Sequence, residues 1–265
     1  MGILTGKTAV ITGSTSGIGL AYARAMAKAG ANIVLNGMGK PEDIEKERSS
    51  IEADFKVKAV HSPADMTKPA EIAGMVALGE KTFGSVDVLV NNAGIGALAA
   101  VEAQSMAQVR EIFETNTLGS IAMCQAFIPQ MRERAQGVVI NVTSSVTLRS
   151  LPLLAVYTAS KAAVNAFTES MALELASVGV QARLVLPGRA PSTRFAENAR
   201  PRMEGAIPDA YGALAAQVFA NFQDNTQVTH ASDVAEAVWQ AATDPGAPMR
   251  IPAGEDAREW AATAV

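Results

Sequence analysis

The chain has few of the residues that bind metals or form cross-links. Its 265 residues include one cysteine, Cys124, and two histidines, His61 and His230. A single cysteine excludes an internal disulfide bond and a cysteine-based metal site. Two histidines cannot form a histidine-rich metal cluster, and we expect both to be surface or loop residues. The sequence therefore predicts a protein without a bound metal.

Positive charge and long apolar runs are also scarce. There are 22 lysines and arginines against 26 aspartates and glutamates, so the formal net charge is −4. Binding of nucleic acid needs a basic face, so we expect no nucleic-acid partner. No apolar run approaches the ~18 residues of a membrane span. The N-terminal MGILTGKTAVITG lacks the basic and apolar regions of a signal peptide. We therefore expect a cytoplasmic protein without a membrane partner.

What the chain does have is a regular alternation of two patterns. Short β-branched runs predict strands, and longer segments between them have helical periodicity. The predicted strands are 8–12, 32–35, 56–60, 86–90, 137–142, 180–186 and, as a seventh candidate, 249–254. The predicted helices are about 17–29, 41–54, 69–83, 104–134 and 155–177. This alternation is typical of an α/β fold with a doubly wound, Rossmann-type parallel sheet of about seven strands and helices on both faces.

One segment interrupts the alternation. Residues 187–230 contain four prolines and scattered aromatic residues but no predicted strand. Long insertions of this kind are usually lids or binding loops, so we predict a substrate lid at about 188–230. The sequence shows neither an internal repeat nor a linker between domains. Residues 1–265 are therefore expected to form a single domain.

A glycine-rich turn, TGSTSGIG, follows the first predicted strand and opens the first helix. We expect Gly13 to permit the tight turn, Gly17 to let the backbone approach a pyrophosphate, and Gly19 to pack the helix against the strand. The free N–H groups at the start of the helix would bind the phosphates, with Ser16 and Ile18 beside them. An ordinary turn between a strand and a helix is the alternative. The position of this turn favours a dinucleotide site.

Tyr157 and Lys161 lie four residues apart in a predicted helix, so they share one face of it. A fixed ammonium beside a phenol favours the phenolate, and we expect it to lower the pKa of Tyr157. Tyr157 could then act as an acid or base near neutral pH. Ser144 follows the strand 137–142 and could hydrogen-bond a substrate oxygen, although Ser145 is a rival. Taken singly, these residues could equally be a buried aromatic, a solvated lysine and a cap.

Together the motifs resemble those of the short-chain dehydrogenase/reductase family. The shared pattern is T-G-x-x-x-G-x-G, then NNAG, an asparagine, a serine and Y-x-x-x-K, in this order over about residues 3–190. The resemblance implies a catalytic set of Asn116, Ser144, Tyr157 and Lys161, in which a local distortion of the helix at Asn116 holds a water linked to the lysine. It also implies that the chain interconverts a secondary alcohol and a ketone by hydride transfer with NAD or NADP.

The same resemblance implies further contacts with the cofactor. From the adenine end to the nicotinamide end they are Asp65, Met66, Asn92, Ala93, Gly94, Lys161, Tyr157, Pro187, Gly188, Ala190 and Ser192. For Asp65 the alternative is a role in a turn or a helix cap, which would not exclude contact. Lys161 is expected to donate to the hydroxyls of the nicotinamide ribose.

The end of the second strand bears on the choice between NAD and NADP. An acidic residue there holds the ribose hydroxyls of NAD, and an arginine accommodates the phosphate of NADP. This chain has Asn36, Gly37 and Met38 instead. Because Asn36 can hydrogen-bond a ribose hydroxyl but cannot neutralise a phosphate, we expect NAD rather than NADP. Lys40 is the residue that could reverse this preference.

The cofactor half resembles bacterial 3-hydroxybutyrate dehydrogenases, whereas the substrate half does not. Those enzymes bind a carboxylate through Gln, His, Lys and Trp at positions that here are Gly96, Val146, Leu154 and Arg189. The predicted lid adds five large apolar or aromatic side chains, Phe195, Met203, Tyr211, Phe219 and Phe222. Apolar walls with few polar groups favour a hydrophobic, fairly bulky alcohol or ketone as the small-molecule substrate.

Other functions and assemblies stay open at this point. The alternatives are a small hydroxy-acid dehydrogenase of the 3-hydroxybutyrate type, a 3-oxoacyl reductase for carrier-bound substrates, and a non-catalytic dinucleotide sensor. A sensor would be expected to have lost Tyr157 or Lys161, and this chain keeps both. The expected assembly is a homodimer through the helices 104–134 and 155–177, or a homotetramer.

Overall fold

The computed structural model describes residues 2–191, 193, 195–223 and 228–264, with the backbone alone at 222 and 223. Ser192 and the side chain of Phe222 therefore lie outside the described residues. In the described part, seven parallel strands form one sheet in the order β3-β2-β1-β4-β5-β6-β7. The strands are β1 (Thr8–Ile11), β2 (Asn32–Asn36), β3 (Ala59–Ser62), β4 (Val88–Asn91), β5 (Gly137–Val142), β6 (Val180–Pro187) and β7 (Arg250–Ala253). The predicted doubly wound sheet and its seventh strand are confirmed.

Helices connect the strands and cover both faces of the sheet. They are α1 (Gly17–Lys28), α2 (Pro41–Phe55), α3 (Pro69–Phe83), α4 (Met106–Phe113), α5 (Gly119–Glu133), α6 (Ala155–Ala176), α7 (Phe195–Ala199), α8 (Gly212–Gln223), α9 (Ala231–Thr243) and α10 (Glu255–Thr263). Among these, none is long and apolar enough to cross a membrane. The described residues also contain no group of three or more His, Cys, Asp or Glu side chains that could hold a metal ion.

Alternation along the strands produces the two apolar cores. Successive side chains of a strand point to opposite faces. In β1, Ile11 packs on the side of α1 and α9, where Tyr22 and Val238 are buried. Val10 packs on the other side, against α3 and α5, where Met75 and Phe127 are buried. Both faces of the sheet are therefore covered by helices. This explains why the sequence of each strand is an almost continuous apolar run.

Two predicted segments differ in detail from the observed elements. The predicted helix 104–134 is divided into α4, a π-helical turn at Glu114–Leu118 and α5. The predicted lid is partly helical, because it contains α7, α8 and two short 3₁₀ turns. Its prolines led us to expect an irregular segment, but they lie at the starts of the turns and between elements, where proline is tolerated.

Candidate active site

The glycine loop lies at the carboxyl end of β1, where the strand order reverses and the sheet leaves a crevice. Gly13 and Gly17 have φ angles of 61° and 59°, which favour glycine over residues with a side chain. A Cβ on Gly19 would lie 2.1 Å from the carbonyl oxygen of Gly13, whereas one on Gly17 would meet nothing within 4 Å. The loop is therefore folded tightly at its base and open at the start of α1. A cradle of this shape fits the pyrophosphate of a dinucleotide.

The NNAG segment is fixed to this loop by hydrogen bonds. The hydroxyl oxygen of Thr12 accepts from the backbone N–H groups of Asn92 and Ala93, both at 2.9 Å. The side-chain amide of Asn92 donates to the carbonyl oxygens of Thr12 and Gly13 at 2.9 and 3.1 Å. Sequence analysis placed Asn92 and Ala93 near the cofactor but missed Thr12, whose partners are 80 and 81 residues away. Thr12 therefore joins the two loops that border the crevice.

The side chain of Asn36, which the sequence predicts to hydrogen-bond a ribose hydroxyl, is bonded within the fold. Its side-chain Nδ2 donates to the carbonyl oxygens of Ser62 and Ala64 at 3.1 and 2.8 Å, and Oδ1 accepts from the N–H of Gly13 at 3.2 Å. The residue is 2% exposed. Asn36 therefore ties the glycine loop to the end of β3. Both N–H bonds of its amide are used within the fold, so Asn36 cannot donate to a ribose hydroxyl, and its contact with a cofactor stays a prediction.

We predict that Asn36→Asp, which would supply the acidic residue typical of NAD sites, destabilises the protein. The new carboxylate would face the carbonyl oxygens of Ser62 and Ala64 without an N–H to donate to them. Buried acceptors left unpaired cost about 1–3 kcal/mol each, so we expect a loss of about 2–4 kcal/mol in the free energy of unfolding, measured by urea denaturation. Met38→Asp is the control, because Met38 is 69% exposed. Equal stability of the two variants would contradict the role assigned to Asn36.

Asp65 and Met66 make contacts within the fold. The carboxylate of Asp65 accepts hydrogen bonds from the backbone N–H and the hydroxyl of Thr67 at 2.9 and 2.8 Å. The backbone hydrogen bond is the main cause that lowers the pKa of Asp65. Met66 is 7% exposed and packs in the core with Met75. Asp65 thus has the turn role that sequence analysis named as its alternative, and contact of these two residues with an adenine stays a prediction.

The π-helical turn brings Asn116 to the NNAG segment. The Oδ1 of Asn116 accepts from the backbone N–H of Ile95 at 2.8 Å, and its Nδ2 donates to the carbonyl oxygen of Ile95 at 2.9 Å and to the hydroxyl of Ser160 at 3.0 Å. Ser160 in turn donates to the carbonyl oxygen of Tyr157 at 2.7 Å. The helix distortion expected at Asn116 is therefore present. It links the NNAG segment to the helix that carries Tyr157.

Lys161 lies in the same small space. Its Nζ donates to the carbonyl oxygen of Val142 at 3.1 Å, and the residue is 5% exposed. A Cβ on Gly94 would lie 3.2 Å both from this Nζ and from the Oδ1 of Asn116. Burial lowers the pKa of Lys161 to about 8. The lysine, Asn116 and the NNAG segment therefore meet at one point.

Tyr157 is buried, with Ser144 beside it. Burial raises the pKa of Tyr157 to about 12, and the nearby Ser144 hydroxyl partly offsets this rise. The lowering of the pKa that we expected from Lys161 is not found: burial is the main cause that acts on the phenol, and the ammonium of Lys161 donates to the carbonyl oxygen of Val142. Tyr157 is thus a protonated phenol at neutral pH, with a serine hydroxyl beside it.

Comparison with known proteins agrees with this arrangement. A family model described as short chain dehydrogenase matches residues 7–204. The chain belongs to the short-chain dehydrogenase family. This confirms the resemblance seen in the motifs. As a member of this family of oxidoreductases, the chain is an NAD(P)-dependent dehydrogenase or reductase that acts on a small-molecule substrate.

Relatives within the short-chain dehydrogenase family include a named hydroxybutyrate dehydrogenase and structures with bound cofactors. The D-beta-hydroxybutyrate dehydrogenase of Rhizobium meliloti (strain 1021) is 41% identical over 203 residues, which cover 77% of this chain and 76% of that protein. A short-chain dehydrogenase/reductase from Burkholderia phymatum in complex with NAD has a TM-score of 0.82 at 27% identity, covering 95% of this chain and 90% of that one. A metagenomic short-chain oxidoreductase in complex with NADP has a TM-score of 0.75 at 26% identity, covering 94% and 97%.

The lid of this short-chain dehydrogenase packs directly on the tyrosine. The rings of Phe195 and Tyr157 have centroids 5.8 Å apart, tilted by 52°. A Cβ on Gly96 would lie 2.8 Å from two atoms of the Phe195 ring. Leu154 is buried in the same apolar cluster as Tyr157, and Val146 packs against that cluster. Leu154 and Val146 therefore belong to the surroundings of the candidate catalytic tyrosine, and Gly96 lies against the Phe195 ring that packs on it.

The remaining predicted contacts lie at the base of the lid. Pro187 pairs with Ala253 at the end of β6, and the carbonyl oxygen of Ala190 accepts from the N–H and the hydroxyl of Thr193. Arg189, the fourth predicted substrate position, has a guanidinium that donates to the carbonyl oxygen of Asn221 in α8 at 2.6 Å. Arg189 is therefore engaged with the lid, and its contact with a substrate stays a prediction.

Proposed function

We propose that this short-chain dehydrogenase interconverts a hydrophobic, fairly bulky secondary alcohol and the corresponding ketone, with NAD as the cofactor and residues 1–265 as a single catalytic domain. The observation that carries this proposal is the environment of Tyr157. Its phenol is buried, and the Ser144 hydroxyl beside it partly offsets the rise in its pKa. The residue itself belongs to an apolar cluster with Leu98, Ala100, Leu153, Leu154, Ala215 and Val218. A proton donor with apolar walls suits a carbonyl group on an apolar body.

The proton chemistry follows from the states of Tyr157 and Ser144. In ketone reduction, the protonated phenol of Tyr157 donates its proton to the substrate oxygen, and the Ser144 hydroxyl stabilises the charge that develops there. In alcohol oxidation the phenolate accepts the hydroxyl proton. Hydride exchange at the carbon is the chemistry that a nicotinamide supplies when bound. The residues that would hold the cofactor are the glycine loop, the NNAG segment, Lys161 and the start of the lid.

Asn116 and Lys161 support this site from one side. We assign Asn116 the task of holding the NNAG segment and the helix of Tyr157 in register, through its bonds to Ile95 and Ser160. Lys161 would donate to the hydroxyls of a bound ribose. Because its pKa is lowered to about 8, it can also exchange a proton near neutral pH.

A cavity beside the lid supports a bulky substrate. Its volume is about 350 Å³, and its lining is mostly apolar: Ala99, Ala100, Val101, Glu102, Leu153, Tyr211 and Leu214. Leu153 and Ala100 also belong to the cluster around Tyr157, so the cavity adjoins the candidate site. Leu153 has a φ of 63°, a strained value for a leucine, and such strain is often found at functional sites. The cavity gives an apolar group of the substrate room beside the tyrosine.

We predict that Phe195→Ala lowers kcat/KM for bulky aryl or alicyclic ketones about 5- to 30-fold. The ring of Phe195 forms a wall beside Tyr157, and loss of such an apolar contact is worth about 1–2 kcal/mol. The kcat/KM of Phe195→Ala for a small ketone such as acetone should change less than about threefold. The measurement is steady-state kinetics over a panel of substrates. A uniform change over the panel would show that Phe195 does not select the substrate.

The NAD preference rests on the absence of charge at the end of β2. Gly37 and Met38 follow Asn36 and offer nothing to neutralise a phosphate. Lys40 lies at the start of α2, at the edge of this region. We expect kcat/KM with NAD to exceed that with NADP in the same assays. A higher kcat/KM with NADP would overturn the proposed preference for NAD. Lys40 would then be the residue to test as the partner of the NADP phosphate.

A second candidate is a small hydroxy-acid dehydrogenase. It is favoured by the 41% identity with the D-beta-hydroxybutyrate dehydrogenase. Against it stands Gly96, where the ring of Phe195 fills the space that a longer side chain would need. The deciding experiment is an assay of 3-hydroxybutyrate beside hydrophobic secondary alcohols and carrier-linked 3-oxoacyl substrates. The highest kcat/KM for the small hydroxy acid would overturn the proposal of a hydrophobic substrate.

We propose a homodimer as the assembly, with a homotetramer as the alternative. Met106 in α4, Leu118 in the π-helical turn and Leu173 in α6 are 59%, 48% and 80% exposed in the single chain. These elements lie in the predicted dimer helices 104–134 and 155–177. Light scattering of the purified protein would measure the mass, and a monomeric mass would contradict the proposal.

A further inference from the structure

The C-terminal helix α10 lies beyond the segment that the family model matches, and it carries a buried acid. Asp256 is 6% exposed. Its Oδ1 accepts from the hydroxyl of Thr229 at 2.7 Å, and its Oδ2 accepts from the backbone N–H of Arg189 at 2.6 Å. Arg189 lies at the start of the lid 188–230, and Thr229 lies at its end. One carboxylate therefore joins the two ends of the lid.

The surrounding backbone is shaped around this carboxylate. A Cβ on Gly188 would lie 2.0 Å from the Oδ1 of Asp256, and a Cβ on Gly254 would lie 1.8 Å from the Oγ1 of Thr229. Gly254 also has a φ of 101°. The N–H of Thr229 donates to the carbonyl oxygen of Arg189 at 2.8 Å, which adds a direct bond between the two ends. Only glycines at 188 and 254 leave room for the acid.

Its position in α10 helps to stabilise the buried charge. Asp256 lies in the first turn of the helix, where the helix dipole favours an acidic side chain. Both carboxylate oxygens have a donor, so the group does not lack hydrogen bonds. The acid can therefore remain buried at the base of the lid.

The other end of α10 contacts the opposite border of the site. The guanidinium of Arg149 lies over the ring of Trp260, 5.7 Å from its centroid. Arg149 follows the short 3₁₀ turn Ser145–Thr147, which begins directly after Ser144. The helix thus contacts the segment after the serine through Trp260 and the base of the lid through Asp256.

We propose that Asp256 is a positioning residue that fixes both ends of the lid and so sets how the lid lies over Tyr157. Asp256 does not touch the reacting atoms in this scheme. It acts through Gly188, Arg189 and Thr229, which hold the lid in place. The effect on catalysis rests on the proposed function, whereas the effect on the lid itself does not.

The first test measures the lid without any substrate. Amide hydrogen exchange is compared in the wild type, Asp256→Ala, Asp256→Asn and Glu255→Ala. Glu255→Ala is the control, because it removes an exposed acid from the same turn of the helix. In Asp256→Ala we expect exchange in peptides covering 188–191, 195–223 and 228–230 to become at least about tenfold faster, with the sheet unchanged. Glu255→Ala should match the wild type.

Asp256→Asn is expected to restore most of the protection. Its Oδ1 can accept from the N–H of Arg189, and its Nδ2 can donate to the Thr229 hydroxyl. That hydroxyl would then donate to the carbonyl oxygen of Ala253, which lies 3.1 Å away in the wild type. Thr229→Val is a milder second variant, because it removes one bond of the carboxylate and leaves the other. It should give intermediate exchange.

The second test is kinetic. For Asp256→Ala we expect KM for a hydrophobic ketone to rise at least about tenfold while kcat falls less than about fivefold, and Asp256→Asn should stay within about threefold of the wild type. Unchanged exchange in the lid of Asp256→Ala would overturn the proposal. Faster exchange over the whole sheet would also overturn it, because that result indicates a structural role alone. If lid exchange is faster in Asp256→Ala but the wild-type enzyme converts none of the ketones, the role of Asp256 in fixing the lid stands. The proposed function is then refuted.

Discussion

Tyr157→Phe is expected to reduce kcat for the alcohol–ketone interconversion by about 10³-fold, while the Kd of the nicotinamide cofactor changes less than about threefold. The substitution removes one oxygen from a side chain that is 8% exposed and leaves its apolar contacts in place. General acid–base groups contribute about 10²–10⁴-fold, and here Tyr157 is the proposed donor and acceptor of the proton. Steady-state kinetics gives kcat, and titration of NADH fluorescence gives the Kd.

Tyr22→Phe is the matched control for this variant. Tyr22 is fully buried in the core, and its hydroxyl has no hydrogen-bond partner among the described residues. Burial raises the pKa of that hydroxyl well above its usual range. The same atom is lost from a buried tyrosine in both variants, so Tyr22→Phe should keep full kcat and equal or higher stability. Retention of more than about a tenth of kcat in Tyr157→Phe would refute the role assigned to Tyr157.

The raised pKa of Tyr157 also sets the direction of the pH dependence. With a pKa near 12 in the chain alone, the phenol is protonated at neutral pH and is ready to donate to a ketone. Oxidation needs the phenolate, whose population increases with pH up to the pKa. In the wild type kcat for oxidation should therefore rise with pH. The residual kcat of Tyr157→Phe should lack this dependence, because it has no phenol to ionise.

The sequence was sufficient for the fold because its signals are local and repeated. Buried parallel strands read as apolar runs, and each is followed by a helical period. The carboxyl ends of such strands share one edge of the sheet, so Asn92 and Ser144 could be assigned to the same crevice without knowledge of the coordinates. The i,i+4 spacing likewise placed Tyr157 and Lys161 on one face of a helix.

Features that depend on distant partners could not be predicted in this way. The amide of Asn36 is held by carbonyl groups 26 and 28 residues away, and the residue type alone does not show which way the amide points. Asp256 bonds to Arg189 across 67 residues and to Thr229 across 27, with no motif to mark either contact. The spacing also predicted that Tyr157 and Lys161 share one face of a helix. It did not show how deeply the two side chains are buried. Burial then raised the pKa of Tyr157 where we had expected the lysine to lower it.

Lys161→Met is expected to change activity and stability in opposite directions. The variant should lose about 10²–10³-fold in kcat/KM, because the proposed donor to the ribose hydroxyls is removed. At pH 7 its free energy of unfolding should nevertheless rise by on the order of 2 kcal/mol. The wild type buries an ammonium, and methionine has a similar length without the charge. The loss of the hydrogen bond to Val142 offsets part of the gain.

The pH dependence of stability separates this explanation from a simple packing effect. Burial lowers the pKa of Lys161 to about 8 in the folded chain, from an ordinary value of 10.5. Below about pH 8 both the folded and the unfolded states hold the proton, so the folded state carries the full penalty of the buried charge. Between about pH 8 and 10.5 the unfolded state binds a proton that the folded state has released, and this group makes wild-type stability rise with pH.

Urea denaturation at pH 7, 8.5 and 9.5 tests this account in the wild type, Lys161→Met and the control Lys46→Met, which replaces an exposed lysine of α2. The difference in stability between Lys161→Met and the wild type should be largest at pH 7 and shrink as the pH rises, because the wild type alone gains stability on losing the proton. Lys46→Met should follow the wild type at every pH. A difference that stays constant with pH would mean that Lys161 does not titrate in this window, and the proton exchange proposed for it near neutral pH would then be wrong.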